Sequence, residues 1–259
     1  MASLVGFFNW RGGRQVVNLP CKNANCLASK QPQRVNQMRK ISLRIFHWAL
    51  VSLIFAQWLT AEVLEGYMDY HAVFGYTLLG LMIFRLLWGF VGPKHARFND
   101  FLRRPKAIWQ YGQSLFSRHQ PTYTGHNPLG ALIVPAILIV VGTQAVSGLF
   151  TTDDVLFNGP YYPAISSELQ GTMQWLHHKM FDVLLVIIAL HVLAITSYQF
   201  LLKKPLIGAM FHGHKNVQSK SGISSSRWPL AIVLALIIFI FMYWLVVIAV
   251  PEIELDYYY

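Results

Sequence analysis

Charge and cysteine are what this chain has least of, and each scarcity narrows what it can be. Charged residues make up 12% of the 259, against 54% hydrophobic, and the mean hydropathy is +0.41. That balance excludes an ordinary water-soluble domain. Acidic residues number 11 against 21 Lys and Arg, for a formal net charge of +10. Cysteine occurs twice, as Cys21 and Cys26 in a C-x4-C spacing near the N-terminus. Two thiols cannot build a four-ligand zinc site, and a reducing compartment gives them no reason to form a disulfide.

What is present instead is apolar sequence in long runs. Segments 43–63, 71–91, 129–150, 173–200 and 228–250 each reach the length needed to cross a hydrocarbon core of about 30 Å. The expected fold class is an all-α integral membrane protein with five transmembrane helices embedded in a lipid bilayer. Threaded that way, the basic residues fall on one side: they precede the first span or follow the second or fourth, with Arg85 low in the second, and Lys179 is the exception. The opposite side carries Glu62, Glu65, Asp69, Asp153, Asp154 and Glu168, and the C-terminal tail adds Glu252, Glu254 and Asp256. Positive-inside counting puts the N-terminus in the cytoplasm and the C-terminus outside. The excess positive charge is thus a topology signal, and nucleic acid is not an expected partner.

Between the spans the chain divides readily. Residues 1–38 read as a basic, poorly structured cytoplasmic leader, and Met38, directly before RKISLRIFHW, is the expected initiator. Residues 92–127 mix Arg, Lys, Phe, Trp and Tyr as a helix lying in the membrane interface does, and Asn127–Pro128 signals the start of the third span. His95, His119 and His126 on this connection are expected at the surface. The third span has no His and no charge; its Gly142, Thr143, Ser147 and Gly148 suggest close helix packing. An acidic, aromatic loop follows it. The fifth span lacks any ionisable residue, and the two His of FHGHK before it are too few for a metal site.

The chemistry lies in the histidines of the other spans. His177 and His191 bracket HHKMFDVLLVIIALH; residues fourteen apart on an α-helix are separated by about 21 Å along the axis and about 40° around it. They share one face, near opposite sides of the membrane, while the intervening step swings His178 roughly 140° away from His191. One helix could so supply an axial ligand to each of two haems. Alternating topology supplies the mates. His47 on the first span is near the inside with His191, and His71 on the second is near the outside with His177. No C-x-x-C-H attachment pattern occurs, so any haem is non-covalent haem b. Arg44 lies near His47, where it suits a propionate or a lipid headgroup. Gly75, one turn below His71, leaves room for a flat macrocycle. Arg85, fourteen residues after His71, suits a propionate salt bridge or snorkelling to the headgroups. His178 and Asp182 are spaced to pair.

RIFHW, HAVFGYTLLGLMIFRLLWGF and HHKMFDVLLVIIALHV resemble the bacterial cytochrome b561 family, and GPKHARFNDFLRRP with GHNPLG resembles its subgroup of nickel–iron hydrogenase b-type cytochrome subunits. The resemblance covers about residues 39–205. It implies a four-helix transmembrane haem bundle there; residues 206–259, outside the resemblance, are expected to form a cytoplasmic loop, the fifth transmembrane helix and a short acidic outer tail. It implies two bis-His haems on His47, His71, His177 and His191, and a place in the bacterial cytoplasmic (inner) membrane. It also implies electron exchange between the quinone pool, with a bound quinone, and a periplasmic redox partner, a c-type cytochrome or a hydrogenase. The protein would then be an electron-transfer subunit of an oxidoreductase system. Two rivals follow from other chemistries. A superoxide:quinone oxidoreductase would need a positive funnel outside, where this chain is acidic. A metal-ion transporter would use the same four His.

Overall fold

The computed structural model describes residues 44–93, 96–101, 130–201 and 227–251, with isolated positions 106, 109–110, 113 and 208. The leader with Cys21, Cys26 and Met38, the histidines at 95, 119, 126, 212 and 214, and the acidic residues of the tail lie outside these. Five helices among the described residues are long and apolar enough to cross a membrane. They are α1 (Arg44–Val63), α2 (Met68–Val91), α3 (Gly130–Ser147, extended by a 3-10 turn Gly148–Phe150), α4 (Ser167–Phe200) and α5 (Trp228–Tyr243, extended by the π-turn Trp244–Ile248). The protein is all-α, as its apolar runs predict, with α2 and α4 each starting a few residues earlier than hydropathy alone suggests.

Aligned backbone groups must bond internally in lipid, which explains why every apolar run is a helix. The breaks are local and have causes. α1 ends in the π-turn Leu59–Val63, and Gly66 at φ +77° turns the chain back into α2. α5 begins at Arg227, in the left-handed region at φ +38°, followed by Trp228 and Pro229; the Arg227 guanidinium donates to the Val91 carbonyl and ties the start of α5 to the end of α2.

Packing makes α2 the centre. One face joins Leu78 and Met82 to Leu50 of α1, Leu138, Val140 and Val141 of α3, and Leu184 of α4. The other face joins Leu79 to Ile238 and Met242 of α5 and Leu149 after α3. The spanning window of α2 is 33% buried, the largest share of the five, as suits the central helix of a bundle in lipid. Association in such surroundings depends on close contact more than on water exclusion. Gly80 accordingly admits Met242, and Gly89 admits the ring of Phe98.

The loop between α3 and α4 is rigidly built. Asp153 Oδ1 accepts the amides of Val155, Leu156 and Phe157 at 2.9, 3.0 and 2.8 Å, and these bonds hold its carboxyl below the usual aspartate range. Tyr161 Oη donates to the Leu245 carbonyl at 2.7 Å, fastening the loop to the end of α5.

Candidate functional site

Two of the four predicted histidines meet where α1 turns into α2. His71 of α2 and His177 of α4 are both half-buried, with ring centroids 6.3 Å apart and planes at 75°. A similar distance, 6.2 Å, relates His177 to His178, but there it follows from adjacency in the chain. His178 is exposed. Towards the opposite end of the bundle, His47 of α1 and His191 of α4 are half-buried and lie within electrostatic range of each other. The fourteen-residue spacing on α4 thus delivers one imidazole to a partner at each level, because a continuous 34-residue helix keeps its rise.

Hydrogen bonding at the His71 level is well defined. His71 Nδ1 lies 3.1 Å from the Gln57 carbonyl and 3.5 Å from Thr60 Oγ1. His177 Nδ1 lies 2.9 Å from the Gln144 carbonyl and 3.3 Å from Ser147 Oγ. A carbonyl can only accept, so each Nδ1 carries the ring proton and each Nε2 keeps its lone pair. Histidines that ligate metals are commonly held this way, by a backbone acceptor on the distal nitrogen. At the other level, His47 Nδ1 is a buried polar atom without a hydrogen-bond partner among the described residues. Imidazoles at two depths, in a chain without the Cys pattern for covalent attachment, are a donor set that fits non-covalent haem. Among the described residues no group of three or more His, Cys, Asp and Glu stands together as a metal cage.

The remaining candidates have protein contacts of their own. Gly75 does not face open space: a Cβ there would come within 3.0 Å of Gln57 Nε2, and this amide donates to the His71 carbonyl at 2.9 Å. Arg85 is buried; its guanidinium donates to the Ala96 carbonyl at 3.3 Å and lies 5.0 Å above the Phe98 ring, so the segment after α2 folds back over it. Arg44 is half-buried at the start of α1. Asp182 pairs with Lys179 at 3.0 Å rather than with His178; the long lysine reaches the i+3 carboxylate along the helix surface. Sequence reasoning missed the roles of Gln57, Thr60, Gln144, Ser147 and Gly148. Ser147 and Gly148 were expected only as packing residues, yet a Cβ on Gly148 would stand 3.0 Å from His177 Cε1.

Comparison with known proteins bears on the same segment. The family model for prokaryotic cytochrome b561 matches residues 39–213. A protein of Bradyrhizobium diazoefficiens described as "Probable Ni/Fe-hydrogenase B-type cytochrome subunit" is 26% identical over 168 residues, covering 58% of this chain and 67% of that protein. No solved structure matches the chain.

Proposed function

We propose, from the premise that this chain belongs to the prokaryotic cytochrome b561 family and is a membrane b-type cytochrome, that it carries electrons across the cytoplasmic membrane through two haems. His71 and His177 would hold the outer haem, and His47 and His191 the inner one. Held by these imidazole pairs, the haems would supply one-electron transfer when bound. The observation that carries the reading is the matched pairing: α4 presents two imidazoles, one beside His71 of α2 and the other within electrostatic range of His47 of α1.

The chain's own residues have definite tasks in this scheme. The Gln57 and Gln144 carbonyls fix the outer rings in the tautomer that leaves Nε2 available. Gly148 lets α3 approach His177. Arg44 precedes His47 by three residues on α1, where it would balance negative charge at the inner level, and Arg85 stands on α2 fourteen residues after His71. The acidic residues on the His71 side, including Asp153, Asp154 and Glu168, would steer a basic periplasmic redox protein such as a c-type cytochrome. The name of the Bradyrhizobium relative supports a hydrogenase as the other candidate partner. Quinone is the proposed exchange partner within the membrane. Lys179, the one cation that the topology places near the outer side, sits on α4 and is engaged by Asp182, which gives a superoxide-gathering funnel little support.

The test is haem content and reduced-minus-oxidised spectra of the purified full-length protein. Two b-type haems per chain are expected. His191→Ala should lose the inner haem and largely spare the outer, and His177→Ala the reverse. Wild-type protein without b-type bands would overturn the reading.

A further inference from the structure

Two four-residue stretches of the same form sit behind the paired imidazoles: Gln57-Trp58-Leu59-Thr60 near the end of α1, and Gln144-Ala145-Val146-Ser147 at the end of α3. In each, the glutamine's backbone carbonyl is bonded to a histidine Nδ1 on another helix, and the hydroxyl three residues later stands beside the same nitrogen. Positions three apart on a helix share a face, so one helix can present both oxygens to one ring. Thr60 and Ser147 are only 5% and 1% exposed, so water does not compete freely for these groups.

The protons at each ring can be counted. The single hydrogen of Thr60 Oγ1 goes to a carbonyl of its own helix, with Ala56 O at 2.8 Å and Gln57 O at 3.2 Å in reach, and Ser147 Oγ donates to Gln144 O at 3.1 Å. With those hydrogens committed, each hydroxyl offers its histidine only lone pairs. Both oxygens around each Nδ1 are therefore acceptors, and the Nδ1 proton is drawn towards the pair. Withdrawing that proton makes the opposite nitrogen a stronger electron donor. His47 has no such shell among the described residues.

We infer that Thr60 and Ser147, acting with the Gln57 and Gln144 carbonyls, are positioning residues for the outer haem. They lock the tautomer and ring plane of its two ligands, and they strengthen those ligands so that the ferric form is favoured and the reduction potential of that haem is lowered. This inference rests on the di-haem reading proposed above. Neither hydroxyl touches the reacting centre; each acts through a histidine.

Redox titration of the purified full-length protein tests it, with the b-type absorbance bands and the low-spin ferric resonances as two readouts. The outer wave is identified as the one lost in His177→Ala. In Thr60→Val and in Ser147→Ala the outer wave is expected to move to more positive potential, and further in the double variant, while the inner wave stays in place. Thr60→Ser and Ser147→Thr keep the hydroxyl and should titrate like the wild type. Ser147→Ala adds no bulk, so it reports the hydroxyl even where Thr60→Val disturbs packing. An unmoved outer wave in a double variant retaining two haems overturns the inference alone. So does a Thr60→Ser variant that shifts as far as Thr60→Val, since packing would then be the cause. Wild-type protein lacking the second haem overturns the di-haem reading, and this inference with it.

Discussion

His177 and His178 differ by one residue and about 100° of helix rotation, and that rotation separates a ring facing α3 from a ring facing outwards. His177 meets Gln144 and Ser147, whereas His178 is exposed and touches His177 edge-on. Replacing His178 with Ala should therefore leave two haems per chain and an unchanged reduced spectrum, as a pyridine haemochrome assay would register. Loss of a haem in that variant would assign the ligand to His178 and displace the proposed shell. Which of the two rings turns towards the neighbouring helices was legible in the sequence, because it depends only on phase within one helix. The shell was not. Gln57, Thr60, Gln144 and Ser147 lie on helices with no sequence neighbour among the histidines they serve, and only packing fixes the rotation of α1 and α3. Repetition of Gln-x-x-Thr and Gln-x-x-Ser near the ends of two spans with the same direction was the one signal on offer. Arg85 makes the same point: its depth can be read from spacing, but its contacts with Ala96 and Phe98 depend on how the following segment turns back.

Among the helices, α2 carries the strictest steric demand, because it packs on both faces. At Gly89 a side chain would occupy the position of the Phe98 ring, and that ring also lies beneath Arg85. Gly89→Ala is expected to push Phe98 off α2, loosen the seat of Arg85 and destabilise the protein by about 1–3 kcal/mol, the usual cost of overpacking. Gly171 on α4 provides the control. It is exposed and helical, and a Cβ added there would have nothing within 4 Å, so Gly171→Ala should stabilise by roughly 0.5–1 kcal/mol through helix propensity. Thermal melting followed at a b-type band should move in opposite directions for the two. Equal shifts would show that the contact with Phe98 carries no weight. The existence of all five helices followed from hydropathy, since lipid leaves the backbone few alternatives. Which of their glycines are contact points did not, because a glycine's neighbours come from distant parts of the chain.

At the scale of the whole molecule, the pairing of histidines and the sidedness of the protein are separate matters. The helices would bring His71 to His177 and His47 to His191 in either orientation, so nothing in the bundle itself says which level faces the periplasm. Sidedness rests on the basic residues, which gather at 1–44, 92–127 and 201–227, segments that positive-inside bias would keep in the cytoplasm. The chain carries its own probes for one side, Cys21 and Cys26 in the leader. The other side can be given one at Leu156, which is 93% exposed at the tip of the loop that Asp153 braces. With a membrane-impermeant maleimide on intact cells, Leu156→Cys should be labelled at once. The wild type should remain unlabelled until the membrane is permeabilised, when Cys21 and Cys26 become reachable. The reverse pattern would invert the molecule, moving the His71–His177 level to the cytoplasmic side and removing the electrostatic case for a basic periplasmic partner. It would leave the pairing of the four histidines untouched, so the two halves of the functional reading stand or fall by different measurements.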